Sequence, residues 1–179
     1  MRLSHLRAVG PGGEAIPAPT PSVTEARVLA SLRRVLHDTS LCSLATVADD
    51  GGPHICHVYF AFDQELRVHF LSHPDSAHCR HIRRSGRASI SVYDSHQSWG
   101  GQDAGIAMDG VAKECRGTDE TAAESTYARR FKGYRTWTRS SEFSRFGRRY
   151  RFYTFTPTSL KVFDERRLGP GLFLTARVR

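Results

Sequence analysis

Two largely apolar runs stand out in the middle of the chain, over residues 53–72. Residues 53–62 and 66–72 are rich in β-branched and aromatic side chains, and the polar residues 63–65 separate the two runs. This pattern is typical of a β-hairpin. The second run leads through a His-Pro-Asp turn into a short basic stretch at residues 76–82, which predicts a helix. A strand that delivers the chain to a helix N-terminus leaves free backbone N–H groups and the positive end of the helix dipole, so the pattern indicates an anion site.

The flanking segments predict further strands and two amphipathic helices. Apolar residues at helical spacing predict a helix that ends near Asp38, and residues 118–132 predict a second one. Residues 41–47, 87–92, 106–116 and 151–163 predict strands, with a bulge or close approach at Gly110 and an edge or bulge at Pro157. Residues 133–149 fit either a mobile basic loop or a short helix. Strands that follow one another through short turns favour an antiparallel barrel over a parallel sheet.

Length and composition favour one domain behind a loose N-terminal segment. Residues 1–21 are rich in Gly, Pro and Ala and carry few large apolar side chains, so they predict a flexible tail before a single domain over residues 22–179. The four cysteines form no C-x-x-C pair, which favours free thiols in a reducing compartment. The N-terminus lacks the apolar run of a signal peptide and no segment is long enough to cross a bilayer, so we expect a cytoplasmic protein without a membrane partner.

The charge balance admits several partners. The formal net charge is +8, which suits a nucleic acid, an acidic membrane surface or a phosphorylated small molecule. Arginine and aromatic residues interleave over residues 129–151, an arrangement that binds nucleic acid by charge and stacking. A packing layer over the barrel with solvated arginine side chains is the favoured interpretation of this segment, so nucleic acid is not the expected partner.

Histidines crowd residues 54–81, but their spacing gives no zinc signature. His78 and His81 stand three residues apart, which places both on one face of a helix. The same spacing places His54 and His57 on opposite faces of a strand. No H-E-x-x-H pattern is present, so the sequence indicates no dedicated metal site. No Ser-His-Asp order, phosphate-binding glycine loop or dinucleotide fingerprint occurs, and no catalytic residue is assigned.

A set of short segments in a fixed order resembles the FMN-binding split-barrel superfamily, the pyridoxamine 5′-phosphate oxidase-like proteins. The resemblance covers roughly residues 40–116, with a weaker echo at residues 155–163. The segments that carry it are 44–47 (LATV), 58–63 (VYFAFD), 68–72 (VHFLS), 76–82 (SAHCRHI), 87–92 (RASISV) and 108–112 (MDGVA). At the helix start this chain has Ala77 and His78 where family members that hold FMN often have Arg and Lys.

The resemblance implies a fold and a set of FMN contacts. It implies an α+β to all-β fold, a six-stranded antiparallel split barrel of Greek-key type with flanking helices, in a homodimer with FMN in the cleft between subunits. The phosphate contacts would be Ser76, His78 and Arg80. The flavin ring would lie against His57, Val58, Tyr59, Leu71 and Ser72. Trp99, Gln102 and Asp103 would cover the ring from the partner subunit.

Two functions follow from the resemblance. The first is an FMN-dependent oxidoreductase that transfers a hydride or electrons to or from a small molecule, with a nicotinamide such as NAD(P)H as a candidate donor. The second is a flavin or haem carrier of the same fold with no turnover, in which one exposed histidine suffices as axial ligand. A deazaflavin in place of FMN is a further alternative.

Overall fold

One antiparallel sheet of eight strands forms the body of the structure, a computed structural model that describes residues 2–10, 12–16 and 23–179. The strands are β1 (Leu3–Val9), β2 (Leu41–Val47), β3 (Pro53–Phe62), β4 (Val68–Ser72), β5 (Arg87–Tyr93), β6 (Ala104–Glu114), β7 (Arg151–Asp164) and β8 (Phe173–Val178). The helices are α1 (Glu25–Asp38), α2 (Ala77–Ser85), α3 (Thr118–Arg130), α4 (Gly133–Trp137), α5 (Ser141–Arg145) and α6 (Glu165–Leu168), with a 3₁₀ turn at Gly147–Arg149.

The sheet closes into a six-stranded barrel. Its strand order is β1-β8-β7-β4-β3-β2-β5-β6, and β6 also pairs with β7, so strands β2 to β7 form a ring. Strands β2, β3 and β4 follow one another as hairpin partners, and β5 returns to lie beside β2, which is a Greek-key connection. The predicted split barrel with flanking helices is therefore confirmed, and β8 and β1 extend the sheet from the second half of β7.

Alternation along each strand sends one set of side chains into the barrel. The largest fully buried members are Phe60 on β3, Phe70 on β4, and Tyr153 and Phe155 on β7. Helix α1 adds its own apolar face to the same core and ends at Asp38, as predicted. Helix α2 crosses the barrel end where β4 stops and β5 starts, and it contributes Cys79 and Ile82 to the core.

A β-bulge shifts the register of the pairing between β6 and β7. Asp109 lies opposite Ser159 while Gly110 lies opposite Pro157, so one extra residue of β7 sits between them. Thr158 is that residue, and its hydroxyl donates to the Asp109 carbonyl at 3.1 Å. The backbones approach so closely that a Cβ at Gly110 would lie 2.2 Å from the Thr156 carbonyl oxygen. The predictions made for Gly110 and Pro157 are both confirmed.

The N-terminal segment differs from the sequence prediction. Strand β1 pairs with β8 from Leu3 opposite Val178 to Val9 opposite Phe173, and Ala8 is buried in the core. The expectation of a flexible tail is wrong for this strand, because edge pairing satisfies its backbone and alternate apolar side chains reach the core. Residues 1, 11 and 17–21 of the expected tail lie outside the described residues.

The long connection between β6 and β7 packs on the outside of the barrel wall. Residues 133–149 form α4, α5 and the 3₁₀ turn, which resolves the alternative left open by the sequence in favour of short helices. Beneath α3 lies a second apolar cluster. Its buried members are Ala61, Cys115, Ala123, Tyr127 and Phe152. Within the described residues, no helix is long and apolar enough to cross a membrane.

A chain of polar groups ties the strands together beside this cluster. The Asp63 carboxylate lies 3.3 Å from His69 Nε2, and His69 Nδ1 lies 2.8 Å from the Thr154 hydroxyl. Thr154 Oγ1 in turn lies 2.9 Å from Cys115 Sγ. Burial raises the pKa of Asp63, but hydrogen bonds from His69 and Arg67 outweigh it, so the pKa falls to about 2. The folded barrel therefore favours the charged form of this carboxylate.

We expect Gly110→Ala to lower the free energy of unfolding by about 2–3 kcal/mol, because the added methyl group meets main-chain atoms of β7 that cannot rotate away. Urea denaturation measures the change. Gly133→Ala is the matched control, since a Cβ at Gly133 meets no atom within 4 Å. A loss at Gly110 no larger than the loss at Gly133 would contradict the close approach.

We expect Asp63→Asn to cost roughly 1–2 kcal/mol at neutral pH, after allowance for partial solvent screening. The unfolded carboxyl has a pKa of 3.8 and the folded one a pKa of about 2, so its stabilisation is complete above about pH 4 and is lost as the pH falls toward 2. Denaturation curves at several pH values should therefore converge for wild type and variant at low pH. Glu65→Gln removes a charge from the same turn and is the control; equal pH dependence in all three proteins would refute the assignment.

Candidate functional site

The N-terminus of α2 is half-buried and carries no side-chain cap. Strand β4 ends at Ser72, a turn follows, and Ser76 is the N-cap residue with extended backbone angles. Its hydroxyl does not cap the helix; it lies 3.1 Å from Nε2 of His78. The N–H groups of the first helical turn therefore lack a side-chain acceptor among the described residues, which is the arrangement that binds anions.

Ser72, Ser76 and His78 form one hydrogen-bonded group behind this terminus. The Ser72 hydroxyl lies 2.7 Å from His78 Nε2 and 3.4 Å from the Ser76 hydroxyl. Burial and the neighbouring imidazoles of His54 and His81 lower the pKa of His78. The neutral imidazole is therefore favoured in this structure, and the positive charge at the helix start comes from elsewhere.

Two arginine side chains supply that charge. Arg80 Nη1 donates to the Asp75 carbonyl, and Arg83 Nη1 donates to the Pro74 carbonyl at 2.6 Å. Both guanidinium groups thus lie over the turn that precedes α2. Arg80 is one of the residues predicted from the family resemblance. Arg83 was missed, although its position three residues after Arg80 places both on one helix face.

An aromatic groove lies on the outer face of β3 and β4. We define the aromatic groove as the cavity of about 710 Å³ between these strands and the helices α3 and α4. That volume is in the range of small-molecule sites. Two residues predicted to face a flavin ring, Tyr59 and Leu71, line the groove. The other lining residues are Tyr127, Arg130, Phe131, Lys132, Gly133, Tyr134, Trp137 and Tyr150.

The aromatic groove ends at the turn before α2, over which the guanidinium groups of Arg80 and Arg83 lie. Tyr150, in its lining, makes an edge-to-face contact with the His73 ring at a centroid distance of 5.9 Å. Trp137 contacts the other side of Tyr150 at 6.0 Å. His73 immediately precedes Pro74, whose carbonyl accepts from Arg83. An apolar, aromatic cavity and a positively charged helix start therefore adjoin each other on one surface.

Arg130 lines the aromatic groove and connects α3 to the end of α1. Its guanidinium donates to the carbonyls of Leu36 at 2.7 Å and Thr39 at 2.5 Å, at the C-terminal end of α1. The same group lies 4.5 Å from the ring centroid of Phe60. Basic groups stabilise the negative end of a helix, and a cation over an aromatic face adds to this attraction.

Two of the tyrosines that line the groove, Tyr127 and Tyr134, keep their hydroxyl protons. Burial raises the pKa of Tyr127 to about 12 and, together with a hydrogen bond to Glu124, raises the pKa of Tyr134 further. The Tyr134 hydroxyl donates to the Glu124 carboxylate at 2.9 Å. These groups therefore act as hydrogen-bond donors and as apolar surface.

The remaining predicted residues lie apart from the aromatic groove. Val58 faces the barrel core, so only its main chain is available to a ligand on the outer wall. His57 lines a second cavity of about 330 Å³ and lies 3.3 Å from the Ser43 hydroxyl. Trp99 is fully exposed in the connection between β5 and β6.

Gln102 and Asp103 share this β5–β6 connection with Trp99 and contact α6. The Gln102 side chain accepts from Arg166, and the Asp103 N–H donates to Glu165. Neither lines the groove within this chain. Their expected role is to cover a flavin ring bound to the partner subunit, and it stays a prediction.

Comparison with known protein families agrees with the split-barrel fold. A family model described as pyridoxamine 5′-phosphate oxidase matches residues 29–162. The chain therefore belongs to the pyridoxamine 5′-phosphate oxidase family, as the sequence predicted. Members of this fold family include flavin oxidoreductases and haem-binding proteins. No protein with curated annotation matches the chain.

Solved structures with the same fold are distant in sequence. A haem-binding protein from Mycobacterium smegmatis has a TM-score of 0.68 at 17% identity over 87% of this chain, which spans 59% of that protein's length. A protein from Clostridium acetobutylicum related to general stress protein 26 has a TM-score of 0.64 at 11% identity, with 87% and 97% of the two chains covered. A haem storage protein from Vibrio cholerae has a TM-score of 0.56 at 16% identity, with 72% and 88% covered. These identities establish the fold alone.

We expect Arg130→Ala to lower the free energy of unfolding by about 2–3 kcal/mol, because the α1 carbonyls lose a charged donor and Phe60 loses its cation. Chemical denaturation followed by tryptophan fluorescence measures the change. Arg129→Ala is the matched control, because among the described residues Arg129 bonds only hydroxyls of its own helix, at Ser125 and Thr126. Its cost should stay near 0.5 kcal/mol. Equal losses in the two variants would refute the role of Arg130.

Proposed function

We propose that the protein binds FMN and acts as an oxidoreductase on a small molecule. The single observation that carries this proposal is the continuity between the aromatic groove and the uncapped, arginine-flanked start of α2. FMN has the matching shape, an aromatic ring system joined to a phosphate dianion. When bound, the flavin supplies the hydride or electron transfer, and the protein supplies binding, orientation and electrostatics.

The phosphate half fits the helix start. The Ser76 hydroxyl and the free amides of the first turn of α2 are donors at one place, and the guanidinium groups of Arg80 and Arg83 neutralise the dianion. His78 stands behind Ser76 with a favoured neutral ring, so its expected contact with the phosphate is that of a hydrogen-bonding group. This assigns most of the charge to Arg80 and Arg83.

The ring half fits the aromatic groove. Tyr59 and Leu71 line the groove from the strands, and Trp137 and Tyr150 line it from the connection between β6 and β7. Offset and edge-to-face contacts with such side chains stabilise a planar aromatic ligand and exclude water from one of its faces. The open side faces solvent, where a small-molecule substrate or a nicotinamide donor such as NAD(P)H would approach.

A second copy of the chain is the expected partner. The outer faces of β2, β3 and β6 expose Leu41, Ile55, Tyr59 and Val111 to solvent. Burial of these side chains against a second barrel would remove apolar surface from water, and the partner's Trp99, Gln102 and Asp103 would then be available to cover the ring. We place this homodimer in the cytoplasm, where its four free cysteines would stay reduced.

Haem is the second candidate ligand. The observation in its favour is His73, whose imidazole contacts Tyr150 at the end of the aromatic groove and is half-buried. An imidazole beside an apolar cavity is a suitable axial ligand for haem iron. The visible spectrum of the purified protein distinguishes flavin, deazaflavin and haem. His73→Ala should abolish binding of haem and leave binding of FMN within about twofold.

We expect Arg80→Ala combined with Arg83→Ala to weaken FMN at least tenfold while riboflavin, which lacks the phosphate, binds as in wild type. Tyr59→Ala should weaken both ligands, because both carry the ring. Quenching of flavin fluorescence measures each affinity.

Arg84→Ala is the matched control for the arginine variant. Arg84 lies on the same helix and carries the same charge, but its guanidinium donates to the carbonyls of Val47 and Ala48 at the end of β2. Equal affinity of the wild-type protein for FMN and riboflavin would overturn the proposed phosphate site. So would an arginine double variant that weakens FMN no more than Arg84→Ala does.

A further inference from the structure

Three potential metal ligands converge inside the barrel end, away from the aromatic groove. His54 and Cys56 alternate along β3 with the exposed Ile55 and His57, so their side chains face inward with Val58. Helix α2 crosses this end of the barrel and brings His78 to the same place. The ligand atoms of His54, Cys56 and His78 all lie within 4.8 Å of one another, and all three residues are half-buried.

The chemistry of these groups suits one class of ion. Two imidazole nitrogens and one thiolate sulfur form a borderline-soft ligand set, which favours zinc and cobalt over magnesium or calcium. In a tetrahedral zinc site, bond lengths of about 2.0–2.3 Å place ligand atoms about 3.4–3.6 Å apart. The ligand atoms of His54, Cys56 and His78, all within 4.8 Å of one another, lie at most about 1.4 Å farther apart than this.

Neighbouring polar groups are positioned to orient the ligands. The Ser72 hydroxyl contacts His78 Nε2 at 2.7 Å. The ring of His54 packs edge-to-face on His81 at a centroid distance of 5.1 Å. Partners of this kind fix the orientation of ligating side chains in metal sites. Ser72 and His81 therefore restrict the orientation of two of the three ligands before any ion arrives.

We propose that His54, Cys56 and His78 bind one divalent zinc-type ion at the inner end of the barrel, with the fourth coordination position left to water or an exchangeable ligand. Three protein ligands and one open position distinguish this arrangement from closed structural sites with four protein ligands. Binding displaces the Cys56 thiol proton, so one proton is released to solvent as the metal–sulfur bond forms. The ion would connect β3 to α2 across the barrel end.

This site goes beyond the proposed function and is separable from it. His54 and Cys56 face the barrel interior, whereas the aromatic groove lies on the outer wall. His78 is the one ligand of the three that also belongs to the proposed phosphate site. The sequence indicated no metal site because the pairs His54/His57 and His78/His81 each lie within one element, whereas this group joins two elements. The His-x-Cys spacing on β3 was the available signal, since residues two apart in a strand share a face.

Cobalt is the sharpest probe, because its visible absorption reports both coordination number and thiolate ligation. We expect the full chain, first freed of metal by a chelator, to bind one Co²⁺ per chain with an intense thiolate-to-cobalt band, and Zn²⁺ to displace it. Cys56→Ser should abolish that band, and His54→Ala should weaken Co²⁺ at least tenfold. Zn²⁺ in excess should raise the melting temperature of wild type but not of Cys56→Ser.

The controls separate this site from the rest of the molecule. His37→Ala removes an imidazole whose side chain is 84% exposed and should leave Co²⁺ binding unchanged. FMN affinity should be unchanged in His54→Ala, so failure of the metal site and failure of the flavin site are distinguishable. Far-ultraviolet circular dichroism checks that each variant is folded, and His54→Gln replaces His54→Ala if that variant is not. Absence of one-to-one binding, or binding that folded His54 and Cys56 variants leave intact, would overturn the proposal.

Discussion

Closure of the barrel through β7 is the constraint on which the rest of the structure depends. The first half of this 14-residue strand pairs with β4 on one side and β6 on the other, and its second half pairs with β6 and β8. On one edge β7 changes partner from β4 to β8, and the bulge opposite Gly110 lies between these two pairings. Without this pairing the sheet would have two open edges and the core of Phe60, Phe70 and Phe155 would face water.

Closure also decides where functional groups lie. Two connections leave the barrel wall at the same end: the link from β4 to β5, which contains α2, and the link from β6 to β7, which contains α3 to α5. The first brings a helix start and its arginines to the barrel end, and the second brings aromatic side chains against the outer wall. Tyr150 and His73 meet because Arg151 of β7 pairs with Ser72 of β4. The adjacency of groove and helix start is therefore a result of strand register.

Sequence patterns predicted the barrel because its signals are local. Alternation, the turn after Phe62 and the glycine of the bulge each act within a few residues. The strand Leu3–Val9 was missed because its pairing partner lies at the other end of the chain. The groove-lining residues Tyr127, Trp137 and Tyr150 were missed for a related reason. Trp137 and Tyr150 come from a segment without clear periodicity, and the meeting of all three residues with Tyr59 depends on tertiary packing.

Of the wall that surrounds the aromatic groove, one part is fixed and another is free to move. Helix α3 is fixed by its buried residues Ala123 and Tyr127. Arg130 fixes it further, because its guanidinium donates hydrogen bonds to carbonyls of α1. Helices α4 and α5 bury no residue at all. Segments with few buried contacts open at low free-energy cost. A ligand too large for the groove would therefore be accommodated by a movement of α4 on the side of Trp137. The barrel and α3 would keep their shape.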